Sequence, residues 1–185
     1  MNPLTILAKY YDTDSRLYAI LLKHSQSVTK KAVEISLNHP ELKADTEFIA
    51  EAAMLHDIGI FLTDAPEIEC FGTHQYIEHG YLGADILRAE GLPRHALVCE
   101  RHTGTGLSLK YIEKNNLPLP HRNMQPESIE EQIICYADNF FSKSNDDKEF
   151  SLEKVRKKLL KHGKKVVARF DQWNRLFLAL ILLNL

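Results

Sequence analysis

Apolar residues recur at intervals of three and four along nearly the whole chain, the period of an amphipathic helix. Residues 15–22 and 25–37 carry this period, with Val28, Ala32 and Ile35 in register, and Pro40 ends the second run. Residues 46–57 align Phe48, Ile49, Ala52, Ala53 and Leu55, and Gly59 follows as the expected C-cap. Residues 60–78, interrupted by Pro66 and Gly72, break the pattern. A helix is predicted from His79 to Glu90 and closed by Gly91, and Pro93 suits the first turn of another reaching His102. Residues 103–106 and the proline-rich stretch 115–126 read as loops. Ser128 is placed to cap a helix with Ile129, Ile133, Tyr136, Ala137 and Phe140 inside. Gly163 separates two last helices, 151–161 and 164–182. No segment alternates long enough to predict a strand, so the fold class expected is all-α.

Composition changes this picture little. The 185 residues suit a single domain, and the net charge of -2 gives no basic excess that would point to a nucleic-acid polymer as partner. The basic run from residue 154 to 165 reads as a solvated helix face. Cys70, Cys99 and Cys135 form no CxxC pair, which argues against a disulfide framework and a thiolate zinc site. The sparse cysteines suit a reducing cytoplasm, which is the expected location, and no signal peptide is expected in the N-terminal stretch. The apolar stretch 176–183 is shorter than the ~20 residues needed to span a bilayer. It reads as buried helix, with no membrane partner. Its stripe of Phe170, Trp173, Leu176, Phe177 and Leu180 has a homodimer contact as its alternative use.

Nine histidines matter if several converge. His56 and Asp57 end an apolar helix, where a charge is costly unless paired. Asp138 repeats the problem inside the apolar string IICYADNFF. His24 begins the second helical run, His79 opens a helix beside Gly80 and Gly83, and His102 closes one. Singly, each reads as a cap, a structural pair or a surface residue. Together they offer four imidazoles and two carboxylates, a donor set suited to Fe, Mn, Zn, Ni or Co. Two such ions held about 3.5–4 Å apart can clamp a phosphate and activate water, with Asp57 the natural bridge.

The order His24, His56-Asp57, Asp138, with HDIG at 56–59, resembles the H…HD…D signature of the HD superfamily of metal-dependent phosphohydrolases. The resemblance covers residues 20–145, with the helices of 151–182 expected to pack on that core. The segments HGYLGADILRAEGLP and ERHTGTG look like the region that supplies two further histidines in two-metal members. The run from Leu117 to Lys143 is similar to small, functionally uncharacterised HDIG-domain proteins and, more distantly, to HD-type diadenosine tetraphosphate hydrolases. The resemblance implies a helical bundle and a first metal on His24, His56, Asp57 and Asp138. It implies a second on Asp57, His79 and His102. His56 and Asp57 would be the catalytic pair, and a small phosphorylated metabolite or nucleotide the substrate. Arg101, Lys143, His74 and Arg94 are candidates to hold further phosphate. Ile60 stands where cyclic-dinucleotide members carry Lys, and no GYP string occurs. The acidic pair of the guanosine-tetraphosphate hydrolases is also missing. Two other readings compete: an HD-fold di-iron oxygenase, and a non-catalytic helical sensor or interaction module.

Overall fold

A computed structural model describes residues 1–145 and 148–178. Helices dominate, as the apolar period requires. In chain order they are α1 (Pro3–Tyr10), α2 (Arg16–Asn38), α3 (Thr46–Leu55), α4 (His79–Ala89), α5 (Pro93–Arg101), α6 (Leu109–Lys114), α7 (Ile129–Asp138), α8 (Leu152–Leu160) and α9 (Lys164–Leu178). Their starts are chemically marked. Ser15, Asp45, Ser128 and Ser151 each accept a hydrogen bond from the amide three residues on, which satisfies one of the free N–H groups of the first turn.

Four expectations need correction. The two runs 15–22 and 25–37 are one continuous helix, because no Gly or Pro separates them, so His24 lies inside α2 rather than at a helix start. Residues 63–75, expected to be irregular, hold three very short strands, β1 (Thr63–Ala65), β2 (Cys70–Phe71) and β3 (His74–Gln75). They form a sheet in the order β2-β1-β3, antiparallel on one side and parallel on the other. Strands of two or three residues are too short to show alternation. Gly59 is not a left-handed cap, since its φ is -84°. The N-terminal helix α1, capped by Asn2, was not foreseen. The predicted extension of α9 to residue 182, with Leu180, lies outside the described residues beyond 178.

A small apolar cluster around Ile112, Leu119 and Met124 and two large ones hold the helices together. One joins α2, α3 and α7 to α8 and α9 through Val28, Ile49, Tyr136, Leu159, Phe170 and Phe177. The other joins α1 and the start of α2 to α4, α5 and the small sheet through Leu7, Leu21, Ile58, Leu87 and Cys99. The ends of α3, α5 and α7 and the middle of α2 meet where the clusters adjoin, and that junction is where the polar side chains converge. All three cysteines are free and buried.

Candidate metal centre

The segment after α3 and the start of α4 touch backbone to backbone. A Cβ on Gly59 would lie 2.3 Å from the carbonyl oxygen of His79. One on Gly83 would lie 2.6 Å from Cys99 Sγ and 2.9 Å from the amide nitrogen of Gly59. Glycine at both positions lets His56, Asp57, His79 and His102 come together.

Asp57 is fully buried and central. Its Oδ2 lies 3.0 Å from His56 Nε2 and 3.3 Å from His24 Nε2, and its Oδ1 lies 3.3 Å from His79 Nε2 and 3.5 Å from His102 Nε2. Asp138 Oδ1, at the end of α7, is 3.0 Å from His24 Nε2 and 3.5 Å from His56 Nε2. Two donor groups result: His24, His56, Asp57 and Asp138, and Asp57, His79 and His102, each with its ligand atoms within 4.8 Å of one another. Asp57 belongs to both.

The imidazoles are held by one repeated device. Nδ1 of His56, His79 and His102 donates to the carbonyl oxygen three residues earlier, on Ala53, Tyr76 and Cys99, at 2.6, 2.5 and 2.7 Å. A carbonyl only accepts, so the proton sits on Nδ1 and Nε2 is turned toward Asp57. His79 and His102 consequently face each other Nε2 to Nε2 at 3.0 Å. Neither has a proton left to bridge that gap while neutral. Burial lowers His79 to about 4, an effect that Asp57 opposes and His102 reinforces. His56 Nε2 and both oxygens of Asp57 are buried without a well-formed hydrogen bond. Orphaned lone pairs this dense are expensive in a protein interior, and a cation among them removes the cost. The donor set therefore fits one or two divalent ions of the nitrogen- and oxygen-preferring kind.

Burial pushes the Asp57 carboxyl up, yet the charges of His56 and Lys143 outweigh it and hold the group well below the ordinary carboxylate range. Asp138 is held low in the same way, against burial, by His24 and His56. Burial alone would lower His56, but Asp57 and Asp138 raise it to about 10. A metal at this nitrogen must displace that proton, so loading releases protons.

The centre floors a cavity of about 230 Å³ lined by His24, Tyr76, His102, Gly104, Asp138 and Lys143, among others. Of the four residues expected to hold phosphate, the structure brings one here. The Lys143 ammonium pairs with Asp57 Oδ2. Arg101 turns the other way, to Glu131 at 3.0 Å and Glu127 at 3.4 Å, because its place on α5 faces the N-terminal turn of α7. Arg94, a whole α5 away, pairs with Asp45 at 2.8 Å and lies over the Phe48 ring. His74 on β3 faces Glu78 at 3.2 Å and does not line the cavity. Sequence reasoning missed Tyr76, whose ring stacks on His79 at 4.7 Å. The shared spacing was its signal, since Ala53, Tyr76 and Cys99 all precede a site histidine by three.

The chain matches the HD domain family over residues 21–142, about two thirds of its length, and belongs to that family. It is 31% identical over 163 residues to an uncharacterized protein of Methanocaldococcus jannaschii, covering 84% of this chain and 89% of that one. It is 34% identical over 175 residues to the tRNA (cytidine(56)-2'-O)-methyltransferase of Thermoplasma volcanium, covering 92% of this chain but 45% of that protein. The Picrophilus torridus protein of the same name is 33% identical over 124 residues, 66% of this chain and 32% of the relative. The chain thus spans half or less of the two methyltransferases it matches. No solved structure matches it significantly. Among the described residues, no helix is long and apolar enough to cross a membrane.

Proposed function

We propose that the chain is a metal-dependent phosphohydrolase. The observation that carries this reading is the pair of donor groups sharing one buried carboxylate, Asp57. His24, His56, Asp57 and Asp138 would hold one divalent ion, and Asp57, His79 and His102 a second. Ions bound at such a centre acidify a water molecule and offset charge on phosphoryl oxygens. The chain's own part is positional. The Nδ1–H bonds to Ala53, Tyr76 and Cys99 keep three imidazoles aimed inward without further reorganisation. Lys143 stands at the cavity floor as a cation for a substrate phosphate, and Tyr76 closes one wall. The cavity is small beside ordinary ligand sites of about 300–1,000 Å³. It suits one phosphate and its immediate ester, the size of a small phosphorylated metabolite or the end of a nucleotide.

The two relatives named as tRNA methyltransferases favour a second reading of the substrate. In them a segment like this chain is part of a longer protein whose printed name gives a tRNA as substrate. On this reading the phosphoester belongs to an RNA or is handled beside one.

Element analysis of the purified chain, followed by a panel of phosphomonoesters, diesters, nucleotides and tRNA, tests the proposal. Release of phosphate or of a phosphoester fragment that depends on metal and disappears in Asp57→Ala is expected. Turnover unchanged in Asp57→Ala refutes the mechanism, and product formation that requires oxygen replaces it with the oxygenase reading.

A further inference from the structure

The net charge of -2 conceals a division. Ten of the 23 Lys and Arg residues fall between Lys148 and Arg175, against three acidic residues there, so residues 148–185 carry +7 and residues 1–147 carry -9. The structure explains how α8 and α9 tolerate this. Val155 and Leu159 of α8 and Phe170, Trp173 and Phe177 of α9 are buried in the core, which turns the cations outward. Lys157, Lys161, Lys164 and Lys165 are exposed, and among the described residues no carboxylate lies within ion-pair distance of them. Arg156 is the cation of this stretch that is neutralised, by Asp171 at 3.0 Å. Like charges at successive helical turns repel, so packing alone gives no reason for the run.

The basic face also adjoins the metal centre. Arg169 of α9 donates to the carbonyl oxygen of Thr105 at 3.2 Å, next to Thr103 and Gly104 on the cavity rim. Arg169 therefore ties the cationic helix pair to the rim of a cavity sized for one phosphate.

We propose that the α8–α9 face binds the sugar-phosphate backbone of an RNA and guides one of its phosphoesters to the metal cavity. The inference rests on the phosphohydrolase reading for the chemistry but on the charge map for the contact. Sequence-independent backbone binding needs regularly spaced Lys and Arg and no base-reading pocket, which is what this face offers. An anionic membrane would need a broad apolar strip beside the cations; Val155, Leu159, Phe170, Trp173 and Phe177 are buried, and the exposed Leu160 of α8 and Leu176 and Leu178 of α9 are what a vesicle would have to engage. The acidic remainder of the molecule repels a polyanion elsewhere and orients its approach.

The test is fluorescence anisotropy of a labelled tRNA transcript across a salt series, with phosphatidylserine-rich vesicles as the competing probe. The wild-type chain is expected to bind the transcript at low salt and to leave vesicles alone. The combined variant Lys157→Glu, Lys161→Glu, Lys164→Glu, Lys165→Glu is expected to lose at least about tenfold in affinity, with a log–log salt slope shallower by about 3. Its helical circular dichroism and metal uptake should match wild type. Asp57→Ala should keep tRNA binding. An unbound transcript, an unchanged reversal variant, loss of binding in Asp57→Ala, or tighter binding to vesicles overturns the proposal. Binding by a chain that hydrolyses no phosphoester supports this face while removing the hydrolase reading, so the two fail separately.

Discussion

Asp57 and Glu100 are both sealed from solvent near the end of α5, yet they are partnered in opposite ways. Glu100 accepts from Arg122 Nε at 2.6 Å and pairs with Arg88 through its other oxygen. Its neighbours are permanent donors, and every charge is answered within the protein. Asp57 is surrounded instead by the Nε2 atoms of four histidines, three of which commit Nδ1–H to backbone carbonyls, and one of its oxygens also pairs with Lys143. Both carboxyls lie below their ordinary values despite burial, Glu100 through Arg122 and Arg88, Asp57 through His56 and Lys143. A depressed carboxyl therefore does not tell a functional acid from a structural one. The geometry of the donors does.

The sharpest way to break this comparison is Asp57→Ala. It should abolish both donor groups at once and cost at least about a thousandfold in turnover, about 4 kcal/mol. Plasma emission analysis of the purified variant should find little or no metal. Next comes chelation. An ion present at a thousand times its dissociation constant stabilises the folded chain by about 4 kcal/mol. Removing it should lower Tm by about 8–16 °C for a chain of this size. A Tm indifferent to chelator would place Asp57 in the same class as Glu100.

Glu100→Gln should act oppositely, with metal content kept and stability lowered by about 2 kcal/mol as two arginines lose a charged acceptor. Its pH dependence has a definite sign. The folded carboxyl lies below the ordinary glutamate value of 4.5, so its contribution is complete above that pH and disappears as pH falls toward the folded value. Wild type and Glu100→Gln should converge in denaturant midpoint under acid. A gap that persists or widens there contradicts the ion-pair account. The smallest effect is expected from Arg94→Ala, which removes an exposed pair with Asp45 and should cost below about 1 kcal/mol with metal uptake unchanged.

Much of this was legible in the chain. The period placed α2 to α5 and α7 to α9 because their apolar faces are long, with Ser or Asp capping α2, α3, α7 and α8 and Pro93 opening α5. It missed α1, whose eight residues carry one buried position, Leu7, and α6, whose six residues carry one, Ile112. The order of His24, His56-Asp57, His79, His102 and Asp138 picked out the side chains that converge, since buried ionisable groups at helix ends need partners. Direction was not legible. Arg101 and His102 are adjacent, yet one faces Glu131 and the other Asp57, and which faces which depends on how α5 rotates against α7 and α4. Lys143 could not be ranked above Arg94 or His74 for the same reason.

The contact between Gly59 and Gly83 has a consequence for replacing ligands. It is made by main-chain atoms, so the spacing of His56-Asp57 from His79 is independent of any rotamer. Exchanging one of the candidate donor residues should alter which ion each donor group prefers while the gap between the two groups stays as it is. The smallest side chain added at Gly83 would force that gap apart with all six donor residues still in the sequence.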